Sequence, residues 1–138
     1  MVQKKKILIT WGLGYIGSHT ATVFIETWYD VIIIDNLSNS HQSTLNCIKY
    51  VSWKTPKFYE MDIRNYSDLD SVFEKHADDI ALVIHFAAKK AVWESCNDPF
   101  LYYENNITGT VNLLKAMNKY GVEHFSIVLI EEVPDKDL

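Results

Sequence analysis

Five short apolar runs, rich in β-branched residues and separated by helical stretches, constrain this chain more than any other feature. The runs are Ile7–Thr10, Val31–Ile34, Lys57–Met61, Ala81–Phe86 and Phe125–Ile130, the third being the weakest. Each is short and continuous, the pattern of strands buried on both faces. The stretches between them carry helical periodicity. Tyr15–Thr27 places Ile16, Val23 and Phe24 on one side, and Ser43–Val51 is weaker. In Ser67–His76, Ser67-Asp68-Leu69-Asp70 reads as an N-terminal turn. Pro99–Tyr120 sets Ile107, Val111 and Leu114 on one face, with Pro99 suited to the first turn and Gly121 to the C′ cap. Strand–helix alternation of this kind predicts a doubly wound α/β fold. The expected sheet is parallel, of about five strands in the order 3-2-1-4-5, with helices on both faces.

A length of 138 residues predicts one domain, spanning 1–138. Apolar residues at 48% and charged residues at 22% exclude a disordered chain. A net charge of −5 argues against a nucleic-acid binder, which needs a basic face. No apolar run approaches the roughly 18 residues of a membrane span. Lys4, Lys5 and Lys6 precede an apolar run that stops at Thr10-Trp11-Gly12, too short for a signal peptide. Cys47 and Cys96 form no CxxC pattern, so neither a disulfide nor a metal site is expected, and free thiols fit a cytoplasmic protein. Two counts stand out. There are only five glycines, against an average of about 7% of residues, and there are four tryptophans.

The first run leads into Gly12-Leu13-Gly14-Tyr15-Ile16-Gly17, a G-x-G-x-x-G that opens a helix. Glycines here permit a tight turn and close approach of backbone to a pyrophosphate, and the helix N-terminus attracts the anion. Asp35 ends the second run 18 residues after Gly17. A carboxylate there is placed to accept hydrogen bonds from a ribose 2′-hydroxyl, which favours NAD over NADP.

Several blocks in register then resemble one family, the UDP-glucose 4-epimerases of the extended short-chain dehydrogenase/reductases. Thr10-Trp11-Gly12-Leu13-Gly14-Tyr15-Ile16-Gly17-Ser18-His19 is similar to their TGGxGYIGSH loop, and Asp35-Asn36-Leu37-Ser38-Asn39-Ser40 to their DNLSNS run. Met61-Asp62-Ile63-Arg64 resembles GDIR, and residues 83–95 resemble VIHFAGLKAVGES. Tyr102-Tyr103-Glu104-Asn105-Asn106, then Gly109-Thr110, resemble YYxNNxxGT. The likeness covers roughly residues 5 to 125. It implies a Rossmann fold with bound NAD that takes a hydride from C4 of a UDP-sugar and returns it to the other face, interconverting UDP-glucose and UDP-galactose. It also implies contacts. Gly12, Gly14, Tyr15, Ile16 and Gly17 would hold the pyrophosphate, and Asp35, Asn36 and Asn39 the adenosine ribose. Asp62 and Ile63 would flank the adenine. Phe86, Ala87, Ala88 and Lys90 would line the nicotinamide half, with Asn105 nearby.

The chain also departs from that family. The family's proton chemistry uses a Tyr-x-x-x-Lys helix and a Ser or Thr beyond the fifth strand, where residues 126–138 here form a divergent tail. Tyr50-Val51-Ser52-Trp53-Lys54 spells Tyr-x-x-x-Lys, but between helix two and strand three, far from the required position. His85 reads as a packed core histidine, and Lys89 and Lys90 as a solvated pair with Lys90 the better contact candidate. No catalytic residue is assigned. Trp11, Trp28 and Trp93 stand where the family has glycine, and Ala88 also replaces one. Decay of a divergent copy and deliberate engineering both fit these changes. The expectation is therefore an NAD-binding half of an epimerase that is not competent alone, with NAD binding weak or lost. It would act on UDP-sugar only if a C-terminal half is supplied. The alternative is a non-catalytic Rossmann scaffold without nucleotide binding. Homodimerisation is expected in either case, through the edge of strand five and the bared face of the fourth helix.

Overall fold

The computed structural model describes residues 3–86 and 97–128, and of Tyr102 and Asn105 the backbone alone. Five strands form one parallel sheet: β1 (Lys6–Thr10), β2 (Asp30–Asp35), β3 (Lys57–Glu60), β4 (Ile80–His85) and β5 (Phe125–Ile127). Their order is β3-β2-β1-β4-β5, as the alternation predicts. β1 pairs with β2 from Lys6 opposite Asp30 to Thr10 opposite Ile34, and with β4 on its other side. The chain thus runs outward from β1 through β2 and β3, then returns to lay β4 on the other flank of β1. That reversal leaves a crevice at the carboxyl ends of β1 and β4, where ligands of such sheets bind.

The helices are α1 (Tyr15–Glu26), α2 (Thr44–Ser52), α3 (Tyr66–His76), α4 (Pro99–Tyr103) and α5 (Gly109–Tyr120). A five-residue π-helical turn, Glu104–Thr108, joins α4 to α5, so the helical stretch expected over 99–120 contains a widened turn. Strand side chains alternate between two cores. Ile7, Ile9, Val31, Ile33 and Ile84 face α1 and α2 together with Leu13, Ala21, Ile25 and Ile48. Leu8, Ile32, Ile34 and Val83 face α3 and α5, where Leu69, Val72, Phe73, Leu113, Ala116 and Met117 meet them. Burial on both faces is why the strand sequences run apolar without interruption.

Two helix faces differ from expectation. In α1, Val23 is 57% exposed and Ile16 sits at the surface, while Gly17, Ser18, Ala21 and Ile25 are buried. Close approach of α1 to the sheet selects small residues, so its inner face is less apolar than its outer one. Ile107 in the π-helical turn and Val111 and Leu114 in α5 are all surface-exposed; Gly109, Asn112, Leu113, Ala116 and Met117 of α5 are buried. α3 begins one residue earlier than read, because Asn65 is its cap and accepts from the Asp68 amide. Pro99 does occupy the first turn of α4, after Asp98, whose side chain accepts from the Leu101 amide. Gly121 ends α5 with φ 69°.

Candidate functional site

The crevice is built around the loop between β1 and α1. Two of its glycines, Gly12 and Gly17, are required by contact. A Cβ on Gly17 would lie 2.3 Å from the Trp11 carbonyl oxygen and 2.9 Å from Gly12 Cα. A Cβ on Gly12 would lie 2.6 Å from Ile33 Cγ2. The one left-handed residue in this loop is Trp11, with φ 54°. Its amide donates to the Ile34 carbonyl at 2.8 Å, and its carbonyl accepts from the Gly14 amide at 3.1 Å. Gly14, the helix cap, has no side chain to satisfy the first turn. The amides of Tyr15, Ile16 and Gly17 therefore lack intrahelical acceptors and carry the positive end of the helix dipole.

Asp35 anchors both loops at this end of the sheet. It is 3% exposed. Its Oδ2 accepts from the Leu13 amide at 3.1 Å, and its Oδ1 accepts from the Leu37 amide at 2.8 Å and the Ser40 hydroxyl at 2.7 Å. Three protein donors on a carboxylate with about four acceptor sites leave room for one ligand hydroxyl. Asn36 receives the Ser38 amide on Oδ1 at 3.1 Å and donates Nδ2 to Asp62 Oδ2 at 3.3 Å. Asn39 is exposed on the same loop.

Asp62 is held from the other side by Arg64. The guanidinium donates through Nε to Oδ1 at 3.0 Å and through a terminal nitrogen to Oδ2 at 2.7 Å. That hydrogen bonding, above all, lowers the Asp62 pKa to about 2. Asn112, on α5, fixes the loop beneath. Its Nδ2 donates to the Ile63 carbonyl at 3.1 Å and the Arg64 carbonyl at 2.9 Å. Gly109 packs under Ile63, where a Cβ would lie 2.6 Å from Cδ1. The sequence reading missed Asn112. A polar residue in the middle of an otherwise apolar helix face was the signal that could have found it.

Trp11, Ile34, Asp35, Asn36, Met61, Asp62 and Ile63 line a partly open cavity of about 10 Å³. That holds about one water. The indole of Trp11 packs against both hydrophobic cores at this spot. The structure thus brings Gly12, Gly14, Tyr15, Ile16, Gly17, Asp35, Asn36, Asp62 and Ile63 to one end of the sheet. Phe86 is buried just past β4. Ala87, Ala88, Lys90 and the Asn105 side chain lie outside the described residues, as do Lys89, Trp93 and Cys96.

His85 is a packed residue, as read. It is fully buried and bridges two threonines: Nδ1 lies 2.8 Å from Thr10 Oγ1 and Nε2 lies 2.9 Å from Thr110 Oγ1. The Thr110 hydroxyl donates to the Asn106 carbonyl, and Thr10 Oγ1 accepts from the Phe86 amide. With the Thr110 hydroxyl committed to the Asn106 carbonyl, His85 Nε2 donates to Thr110 Oγ1. The Tyr50-x-x-x-Lys54 string sits at the wrong end of the sheet. Lys54 pairs with Asp30, the first residue of β2, whereas the crevice lies beyond Asp35, the last. Among the described residues there is no cluster able to hold a metal ion, and no helix is long and apolar enough to cross a membrane.

Known proteins share this arrangement. The family model described as GDP-mannose 4,6 dehydratase matches residues 8–130. A UDP-glucose 4-epimerase of Bacillus subtilis is 48% identical over 117 residues, covering 85% of this chain and 34% of that protein. One from Klebsiella pneumoniae is 45% identical over 120 residues, covering 87% of this chain and 85% of the relative. The crystal structure of UDP-glucose 4-epimerase from Bifidobacterium longum, in complex with NAD+ and UDP, superposes with a TM-score of 0.85 at 38% identity. That match covers 88% of this chain and 36% of that one. Apart from the Klebsiella protein, these relatives are about three times as long as the segment they share with this chain. The chain belongs to the GDP-mannose 4,6 dehydratase family and is homologous to the NAD-binding region of UDP-glucose 4-epimerases.

Proposed function

We propose that this chain is the NAD-binding part of a UDP-glucose 4-epimerase-type enzyme. One observation carries the reading: the uncapped α1 N-terminus, the Asp35 carboxylate and the Asn36–Asp62 pair converge at the crevice beside β1. The pyrophosphate side fits the group. The amides of Tyr15, Ile16 and Gly17 lack intrahelical acceptors and follow a turn too tight for a Cβ at Gly17. On the adenosine side the Trp11 indole narrows the space beside Asp62 and Ile63, so NAD binding is weak or lost while tryptophan stands there. Bound there, the cofactor would supply the hydride chemistry, and this chain's part is binding and orientation.

These 138 residues are not competent for epimerisation alone in this reading. Among the described residues, no tyrosine–lysine pair stands beside the crevice, and His85 has both ring nitrogens engaged within the fold. The proton chemistry and the UDP-sugar would need groups other than those the described residues supply. Self-association completes the proposal. β5 pairs only with β4 among the described strands, and Phe100, Tyr103, Ile107, Val111 and Leu114 are exposed apolar side chains along α4, the π-helical turn and α5. The exposed free thiol of Cys47 suits a reducing compartment, the cytosol. Calorimetric titration with NAD and NADP tests the binding reading, with NAD the tighter. A coupled assay with UDP-galactose tests the second part. Conversion by the 138 residues alone, abolished on heating, would refute it.

A further inference from the structure

Three tryptophans of this chain stand in backbone conformations that belong to glycine. Trp11, Trp28 and Trp53 have φ of 54°, 72° and 62°. They are all the tryptophans among the described residues. A few per cent of non-glycine residues adopt positive φ, chiefly Asn, Asp and His, and a bulky side chain there is an outlier. Three of three by chance is an event of about one in 10⁴ or rarer.

Two of them end helices through hydrogen-bond patterns in which glycine is the usual residue. At the end of α1, the Trp28 amide donates to the Ile25 carbonyl at 3.0 Å and the Tyr29 amide to the Phe24 carbonyl at 3.0 Å. That pair of bonds is the Schellman motif with Trp28 at the left-handed position. At the end of α2, the Trp53 amide donates to the Lys49 carbonyl at 2.8 Å, the simpler left-handed cap. α5 supplies the comparison within the same chain. Val122 donates to the Met117 carbonyl at 2.9 Å, and the left-handed residue between is Gly121.

No packing accounts for the indoles at the helix ends. Trp28 is 91% exposed and Trp53 is 90% exposed. Leu37, the other non-glycine residue at positive φ among the described residues, differs on both counts. Asp35 Oδ1 holds its amide at 2.8 Å, and its side chain packs against the core. Trp11 does pack, and it lines the small cavity beside Asp35 and Asp62. Composition agrees. About 7% glycine would be roughly ten residues in a chain of this length. Five are present, and the four tryptophans nearly make up the difference.

We infer that positions 11, 28 and 53 are glycine in the protein as its own cell makes it, their codons being UGA read as glycine. UGA is the codon whose meaning varies among genetic codes between stop, tryptophan and glycine. The fourth tryptophan, Trp93, lies outside the described residues, and the same decoding assigns it glycine. The inference stands on backbone angles and holds whether or not the chain binds NAD. It restores a helix-capping glycine after α1 and after α2, and it removes the indole from the adenosine side of the crevice.

Two measurements on the natural gene and its product decide it. Sequencing the gene reads the four codons, and peptide mass spectrometry of the protein isolated from its source cells reads the residues. UGA at all four positions, with each covering peptide lighter by the mass that separates tryptophan from glycine, is the expected result. UGG at codon 11, 28 or 53 overturns the inference, as does a native peptide whose mass retains tryptophan at any of them.

Discussion

Replacing Trp28 and Trp53 with glycine, in protein made with tryptophan at both, should raise stability without touching any packed contact. A left-handed L-residue costs about 1–2 kcal/mol relative to the right-handed region, because its Cβ crowds the following carbonyl. Glycine removes that strain but gives the unfolded chain more freedom, a loss of about 0.5–1 kcal/mol. The net gain is about 0.5–1 kcal/mol at each site. Both side chains are about nine-tenths exposed, so little burial is lost in exchange. The double variant should gain about 1–2 kcal/mol, a sizeable part of the ~5–15 kcal/mol that holds a domain together. That corresponds to a rise of roughly 4–8 °C in Tm, or a higher urea midpoint at unchanged m. Alanine at both positions separates the causes, since it deletes the indole and keeps the Cβ. Alanine should leave stability within about 0.5 kcal/mol of the tryptophan form. If the alanine variant gains as much as the glycine variant, the exposed indoles are the burden, and the backbone reasoning fails.

Further outcomes follow from the crevice and the surface. Trp11→Gly should strengthen NAD binding by at least tenfold, about 1.4 kcal/mol, in calorimetric titration, and equal affinities would remove Trp11 from the binding site. The Asp62 pKa of about 2 lies below its ordinary 3.8, so the unfolded chain takes up the proton first on acidification. The stability this pair contributes, about 1 kcal/mol after solvent screening, is full above pH 3.8 and is lost as pH falls through about 2. Asp62→Asn should abolish that component of the acid titration. Thr10→Val leaves His85 Nδ1 and the Phe86 amide without that partner in the core and should cost about 1–3 kcal/mol in urea melts. Ile107→Glu among the exposed apolar side chains should shift a dimer to monomer by light scattering at tens of micromolar, with an unchanged melt.

Strand order and the glycine loop were legible because their signals are local. Runs such as Val-Ile-Ile-Ile at 31–34 have no reading other than a doubly buried strand, and alternation with helices fixes the crossover sense. Helix faces were less legible, because burial there is decided by the neighbour. α1 lies so close to the sheet that Gly17, Ser18 and Ala21 line its inner face, and its bulkier Val23 points outward. The same holds for α5, where Asn112 is buried because two carbonyls of the Asp62 loop accept from it. The left-handed residue after α2 was invisible to sequence, since Trp53 carries none of the usual marks of a helix end. At Trp28 and Trp11 only the resemblance to a family raised the issue, and the φ values of 72° and 54° bear it out.

Where the anomalies fall separates the explanations for them. A chain drifting without selection would collect substitutions in its cores as readily as in its connections. The buried apolar residues here are Ile, Leu, Val, Ala, Met and Phe at ordinary positions, and none is tryptophan. Among the described residues no buried side-chain polar atom lacks a hydrogen-bond partner. The strained tryptophans are confined to connections, at one backbone conformation, while Gly12, Gly17 and Gly109 persist where a Cβ would collide within 2.7 Å. Loss of function has no reason to put one residue type, tryptophan, at three left-handed positions while Gly121, also left-handed, stays glycine. A decoding difference changes whichever glycines use one codon, and leaves the cores, the hydrogen bonds and the remaining glycines intact.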